Sequence, residues 1–260
     1  MRCLQYLALA AALLLSGAAP SQPHAVLAAT PISRMDLAWW RQRHAAKLEE
    51  LRSRRVDLIF LGDSITQDYE RSGPQEWRDF VPVWQRFYGD RNAVNLGFTG
   101  DATAHLLWRI ENGEVAGIAP KVAVVLIGAN NLGRLHWSAE DTVAGIDAIV
   151  QQLRHRLPQT KLLLLGVLPS DRSTWVTEST ATINNALAAR YRSGGEVTYL
   201  DIGHVFMRDG RLNAGLFFDP KLTPPEPPLH PTPEGQALMA AAIEPTLAGL
   251  LGDRPHVAAR

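Results

Sequence analysis

The stretch Val56-Asp-Leu-Ile-Phe-Leu-Gly-Asp-Ser-Ile-Thr66 decides the fold, because an apolar strand, Val56–Leu61, runs without a gap into a Gly-Asp-Ser turn. Short apolar runs recur further along the chain at Ala93–Leu96, Val122–Ile127, Leu162–Leu168 and Val197–Ile202. Strands that are apolar on both faces and separated by helices predict a parallel sheet covered on both sides. The sequence therefore predicts an α/β protein with a three-layer α/β/α sandwich.

Helical patterns fill the segments between these strands. The predicted helices cover Met35–Arg54, Trp77–Phe87, Ala102–Ile110, Ala139–Leu157, a part of Ser179–Arg192, and Glu234–Leu251. We find no internal repeat and no linker between domains. One domain is therefore expected at residues 55–252, with a helical segment at 30–54 before it and a tail at 253–260 after it.

The first 29 residues are expected to be a secretory signal peptide. Arg2 supplies a positive charge, Leu7–Leu15 is a short apolar run, and small residues at Val26-Leu-Ala28 or Leu27-Ala-Ala29 give a cleavage site. An uncleaved anchor and a buried N-terminal helix are the alternatives, but the run is shorter than the roughly 20 residues that span a bilayer. We therefore expect a periplasmic or secreted protein with no integral membrane span after removal of the signal.

Charge and cysteine content exclude several classes of function. The chain has 26 Lys and Arg against 26 Asp and Glu, so it has no net field to attract nucleic acid or an anionic membrane. Its one cysteine, Cys3, lies within the expected signal peptide. A mature chain without thiols suits an oxidising compartment and excludes cysteine catalysis.

Ser64 lies where a strand of a parallel sheet ends, which is the usual place for a ligand cleft. A catalytic serine is one interpretation; the other is that Asp63 and Ser64 only cap the following helix. The Gly-x-Ser-x-Gly nucleophile elbow is absent, because Thr66 stands where its second glycine would be.

The next two strands also end in unusual turns, Asn95-Leu-Gly-Phe-Thr-Gly-Asp101 and Gly128-Ala-Asn-Asn131. Glycine lets backbone N–H groups approach a substrate closely, and the Asn130 amide is a neutral donor. Together with the Ser64 amide they could stabilise an oxyanion. The alternative is that the glycines only make tight turns and that Asn130 closes an Asx turn.

His230 is the favoured base for Ser64. It lies in the segment Asp219–Pro233, whose seven prolines exclude a helix or a central strand, just before the last helix. His136, six residues after Asn130, is the main rival. His44, His155 and His256 are expected to be solvated, and no metal-ligand spacing such as His-Glu-x-x-His is present.

Four ordered blocks, Gly62-Asp-Ser64, Gly100, Asn130 and His230, resemble those of the SGNH (GDSL) hydrolases. The stretches Leu61–Gln67, Gly100–Thr103 and Leu107–Glu114 are most similar to the catalytic subunits of platelet-activating-factor acetylhydrolases. The resemblance covers about residues 55–245. It implies a flavodoxin-like parallel sheet of five strands, Ser64 as nucleophile, His230 as general base, and an oxyanion hole made by Ser64 N–H, Gly100 N–H and the Asn130 side chain. No metal or organic cofactor is implied.

The chain departs from the family at one position. The family places an aspartate three residues before the histidine, where Pro227 stands here. Asp219, which follows two phenylalanines, resembles that element displaced by an insertion. Glu226 is the rival acid, and a Ser-His dyad supported by a backbone carbonyl or water is the third alternative.

These observations predict a secreted or periplasmic serine esterase that acts through an acyl-serine intermediate. The resemblance implies that its substrates are short-chain, acetyl-type esters of a carbohydrate or lipid. Lysophospholipase and thioesterase activities use the same chemistry. A non-catalytic module that binds an acetylated glycan or a protein partner is an alternative of another class, motivated by Pro227. A nucleotide binder is a third, although the first turn lacks a glycine-rich phosphate cradle. The expected partners are a small-molecule or glycan ester and, as in some relatives, a second copy in a homodimer.

Overall fold

The computed structural model describes residues 25–73, 79–192 and 195–256. A parallel sheet of five strands lies at its centre, in the order β2-β1-β3-β4-β5. The strands are β1 (Leu58–Gly62), β2 (Ala93–Gly97), β3 (Val122–Leu126), β4 (Lys161–Leu165) and β5 (Val197–Leu200). This order is the flavodoxin-like one, in which the chain changes direction across the sheet between β1 and β3. The three-layer fold expected from the sequence is confirmed.

Eight α-helices accompany the sheet in the described part of the chain. They are α1 (Ala38–Ser53), α2 (Ser64–Gln67), α3 (Val81–Tyr88), α4 (Thr103–Arg109), α5 (Ala129–Gly133), α6 (Ala139–Arg156), α7 (Thr174–Arg190) and α8 (Pro233–Leu251). Two further strands, β6 (Met207–Arg208) and β7 (Arg211–Leu212), form a small antiparallel hairpin. Among these helices none is long and apolar enough to cross a membrane.

Side chains on alternate faces of the strands build two hydrophobic cores. On β1, Ile59 and Leu61 pack with buried residues of α4, α6 and α7. Leu58 and Phe60 point the other way and pack with α3 and α8. Every residue of β1, β2 and β3 is buried, which explains why these strands are apolar on both faces. The strands that carry the candidate site are therefore held rigidly on both sides.

Several helix boundaries differ from the expected ones. α7 begins at Thr174, ahead of the expected segment, because the Ser173 hydroxyl caps it by accepting from Val176 N–H. The short helix α5 was not expected, and α2 agrees only with the interpretation that Asp63 and Ser64 cap a helix; a single turn is too short to show a helical period. The first two residues of the helix predicted at 77–87 lie outside the described residues, as do residues 1–24 of the predicted signal peptide.

The end of the predicted signal peptide packs against the domain. Leu27–Ala29 forms one 3-10 turn, in which Ala28 is buried. The Ala28 carbonyl accepts a hydrogen bond of 2.7 Å from the buried Thr103 hydroxyl of α4. At Gly145 of α6 a Cβ atom would lie 2.5 Å from that carbonyl, so only glycine admits the turn. Residues 27–29 thus contact both α4 and α6.

Candidate active site

Ser64 is the first residue of α2 and lies at the carboxyl end of the central strand β1. The carboxylate of Asp63 caps this helix by accepting a hydrogen bond of 3.0 Å from Ile65 N–H. The cap turns the chain sharply, which leaves Ser64 at the edge of the sheet. The two interpretations of the sequence are therefore compatible. Asp63 caps the helix, and Ser64 lies at the edge of the sheet beside His230.

Asn130 stands opposite Ser64, because it follows β3, the neighbour of β1 at the point where the chain changes direction across the sheet. Its amide nitrogen, Nδ2, donates to the Asp101 carbonyl over 3.0 Å and lies 3.4 Å from Asp63 Oδ2. The following residue, Asn131, is buried and bonds to both the backbone and the hydroxyl of Thr103. Asn131 therefore fixes α5, and with it the position of Asn130.

Gly100 lies in the turn after β2, and its φ of +75° favours glycine. The turn is tied to α2 because Gln67 Oε1 accepts from both the backbone N–H, at 2.7 Å, and the hydroxyl of Thr99. Within the described residues, no acceptor takes the backbone N–H of Ser64 or of Gly100. Two unpaired donors therefore lie at this edge of the sheet together with the Asn130 amide.

A fully buried arginine supports these turns from below. Arg109 donates to the carbonyls of Gly62 and Leu96, at the ends of β1 and β2, over 3.1 Å each. It also forms ion pairs with Asp101 and Glu114. Arg109 and Glu114 both lie in the stretch that resembles the acetylhydrolase subunits. The structure places that stretch beneath the site, where it holds the turns in position.

His230 joins the same edge from the proline-rich segment. Its Nε2 atom lies 2.9 Å from Ser64 Oγ, and its Nδ1 atom lies 2.6 Å from Asp219 Oδ1. The second oxygen, Asp219 Oδ2, accepts from the backbone N–H groups of Leu229 and His230 at 2.8 and 2.6 Å. The ring of Phe218 stacks on the imidazole with centroids 5.2 Å apart. Asp219, His230 and Ser64 therefore form one continuous chain of hydrogen bonds.

The other acid considered from the sequence lies elsewhere. Glu226 and Pro227 are both exposed, and only the backbone N–H of Glu226 contacts Asp219, through its carbonyl. The structure brings Asp219 to His230 across a separation of 11 residues. An acid therefore does not have to lie three residues before the histidine to reach the imidazole.

The remaining histidines do not contact Ser64 within the described residues. His136 is exposed and stacks on Trp175 at 6.0 Å. His44 was expected to be solvated, and that expectation is wrong: it is buried, stacks on Trp40 and bonds to the Asn112 carbonyl. Across the same ranges, His, Cys, Asp and Glu side chains form no group of three or more that could hold a metal ion.

Electrostatics favour a charged pair at His230 and Asp219. Burial works against the imidazolium, but the hydrogen bond and charge of Asp219, with Asp68 and Asp63 beyond it, raise the pKa of His230 above its usual 6.5. Burial also opposes ionisation of Asp219, yet its bonds to His230 and to two backbone N–H groups lower the pKa of that carboxyl. Asp63 behaves differently, because burial raises its pKa to about 7.

Three side chains at the site were missed in the sequence. Gln67 could have been found from its position three residues after Ser64, within one turn of the same short helix. Phe218 directly precedes Asp219, which is a local signal. Arg172 follows β4, so it also lies at the carboxyl edge of the sheet, and its guanidinium bonds to the carbonyl of Ala129. No pattern in the sequence marks Arg172 as part of the site.

Comparison with known proteins identifies the family of the chain. The model of the GDSL-like Lipase/Acylhydrolase family matches residues 60–238. The chain is 31% identical over 219 residues to the platelet-activating factor acetylhydrolase IB subunit alpha2 of Rattus norvegicus, covering 84% of this chain and 87% of that protein.

Solved structures give the same fold. A GDSL-like lipase from Bacteroides thetaiotaomicron superposes with a TM-score of 0.62 at 18% identity, covering 80% of this chain and 97% of that one. A carbohydrate esterase family 3 protein from Talaromyces cellulolyticus superposes with a TM-score of 0.53 at 18% identity, covering 77% and 100%.

Proposed function

The chain belongs to the GDSL-like lipase/acylhydrolase family and is an ester hydrolase, and from this premise we propose that Ser64, His230 and Asp219 form its catalytic triad. Ser64 is the nucleophile, His230 the general base, and Asp219 the acid that orients the imidazole. The backbone N–H groups of Ser64 and Gly100 and the side-chain amide of Asn130 form the oxyanion hole.

The proposed reaction has two halves. Ser64 Oγ attacks the ester carbonyl carbon while its proton passes to His230 Nε2, and the negative charge gathers on the former carbonyl oxygen. The bond to the leaving oxygen then breaks, and His230 returns the proton to the departing alcohol. Water, deprotonated by His230, next attacks the acyl-serine; the carboxylic acid leaves, and Ser64 recovers its proton.

The observation that carries the proposal is the chain of contacts from Asp219 through His230 to Ser64, at 2.6 and 2.9 Å. A serine hydroxyl at this distance from an imidazole can pass its proton on directly. The carboxylate at Nδ1 keeps the Nε2 atom free to accept that proton. A protein that only binds a ligand has no need of this alignment, so the geometry favours the enzyme over the binding module.

The substrate is proposed from the names of the relatives. Both an acetylhydrolase and a carbohydrate esterase lie among them, so a short acyl group, acetyl above all, on a carbohydrate or lipid alcohol is the substrate class that we propose. We further propose that residues 1–29 are a signal peptide and that residues 55–252 act as one catalytic domain outside the cytoplasm.

Hydrolysis of p-nitrophenyl esters from acetyl to octanoyl tests this function, with the wild type beside Ser64→Ala. We expect activity that falls steeply beyond short acyl chains, and a loss of at least about 1,000-fold in kcat for Ser64→Ala. Circular dichroism of both proteins controls for folding. Turnover that survives Ser64→Ala would refute the proposed nucleophile. A preference for long chains would point instead to a lysophospholipase or thioesterase.

A further inference from the structure

A second feature of the cleft is a guanidinium group beside the proposed oxyanion hole. Arg172 Nη2 donates to the Ala129 carbonyl over 3.1 Å, and its Nε donates to Ser170 Oγ over 3.0 Å. The guanidinium also occupies the space that a side chain at Gly133 would need, so it lies flat against α5. Because Ala129 directly precedes Asn130, Arg172 stands next to one of the three proposed oxyanion donors.

The Arg172 guanidinium forms no ion pair with the described residues. Among the described residues no carboxylate lies within ion-pair distance of it, and its exposed neighbour Asp171 does not pair with it either. Other buried or half-buried arginines of the chain are neutralised directly: Arg109 by Asp101 and Glu114, and Arg91 by Glu244. Asp63 and Asp219 act on Arg172 only through space, and burial lowers the pKa of its guanidinium. A half-buried cation without a partner is costly to keep for stability alone.

A second arginine, Arg134, lies beside the turn of Gly100. A Cβ atom at Gly100 would be 2.5 Å from Arg134 Nη1, so this exposed side chain covers the turn that carries the Gly100 donor. Within the described residues, Arg134 also lacks a carboxylate at ion-pair distance.

We propose that Arg172, assisted by Arg134, binds an anionic group, a carboxylate or a phosphate, on the alcohol part of the ester substrate. Guanidinium groups match both anions, because their N–H groups form two parallel hydrogen bonds to a planar or tetrahedral oxyanion. The bound anion supplies the counterion that the described residues do not provide, and it holds the ester against Ser64. This inference rests on the proposed esterase function and narrows its substrate from esters in general to esters of acidic alcohols.

Matched substrates separate this proposal from the esterase function. One pair is the O-acetyl ester of a methyl glucoside and of the corresponding methyl glucosiduronate, in which a carboxylate replaces the C6 hydroxymethyl group. A second pair is acetylated glycerol and acetylated glycerol phosphate. For each pair we measure kcat/KM and take the ratio of the charged to the neutral ester. The two pairs tell a carboxylate from a phosphate, and a ratio well above one in either pair is expected.

Arg172→Gln should lower that ratio by about 10-fold or more, because a charge-assisted hydrogen bond is lost. Arg134→Gln should lower it less, about two- to fivefold, since Arg134 is exposed. Arg156→Gln is the matched control: this exposed arginine ends α6 at the opposite edge of the sheet, and the ratio should not change. Raising the salt concentration should reduce the ratio of the wild type.

Two results would overturn the proposal. If Arg172→Gln slows the charged and neutral esters equally, Arg172 only supports α5 through the Ala129 carbonyl. If the wild type shows ratios at or below one in both pairs, the cleft has no anion subsite. Should Arg172→Gln fail to fold, Arg172→Lys is tested in its place. Lysine keeps the charge but cannot form the two parallel hydrogen bonds of a guanidinium, so the ratio should fall severalfold. Failure of the esterase function itself is visible separately, as neutral-ester hydrolysis that does not depend on Ser64.

Discussion

Replacing Asp219 by asparagine should remove most of the activity while the matched change Glu226→Gln leaves it in place. The carboxylate makes three contacts at once: Oδ1 lies 2.6 Å from His230 Nδ1, and Oδ2 accepts from Leu229 and His230 N–H. An amide has only one oxygen that accepts hydrogen bonds, and in Asp219→Asn this oxygen stays bonded to the N–H groups of Leu229 and His230. Its NH2 group then faces Nδ1 and favours the tautomer whose Nε2 carries a proton and cannot act as a base.

The expected loss is about 1,000- to 10,000-fold in kcat, as removal of the orienting acid has this effect in serine hydrolases. A p-nitrophenyl acetate assay from pH 5 to 9 would measure it. Because Asp219 provides the contacts that raise the pKa of His230, the residual activity of Asp219→Asn should persist to lower pH than the activity of the wild type. A loss below about tenfold, or an equal loss in Glu226→Gln, would refute the assignment.

Three further predictions concern pH and stability. The kcat/KM of the wild type should fall as the pH drops through the pKa of His230, which lies above 6.5, because the imidazolium cannot accept the Ser64 proton. The free energy of unfolding should decrease by up to about 4 kcal/mol as the pH rises from 4 to 7, since burial of Asp63 raises its folded pKa to about 7 and the folded state must release a tightly held proton. Urea titrations at several pH values measure this change. In Asp63→Asn, which keeps the helix cap, the free energy of unfolding should depend less on pH. A chain that begins at Thr30 should be about 2 kcal/mol less stable than one that begins at Ala25, because the buried Thr103 hydroxyl loses the Ala28 carbonyl; equal melting temperatures would show that the turn adds nothing.

The sheet could be read from the sequence because its central strands are buried on both faces, which leaves runs of Val, Leu and Ile with no polar alternation. The short helices α2 and α5 could not, since each is about one turn long and shows no helical period. His44 was expected to be solvated because α1 is charged overall, but the His44 ring packs on Phe98 and Trp108. Arg172 was invisible for a different reason. Its distinguishing feature is that no carboxylate of the described residues pairs with it, and ion pairing can be seen only in the folded structure.

The position of Asp219 shows why the distance along the chain misleads where backbone pairing sets the geometry. Phe218 N–H donates to the His230 carbonyl over 3.0 Å, and Thr232 N–H donates to the Leu216 carbonyl over 2.7 Å. These bonds pair residues 216–218 with residues 230–232 at the base of the loop, so the loop can differ in length without separating Asp219 from His230. Extending a closed loop from 3 to 11 residues costs only about 1 kcal/mol of entropy. The prolines at 220, 224, 225, 227 and 228 reduce that cost by restricting the unfolded chain.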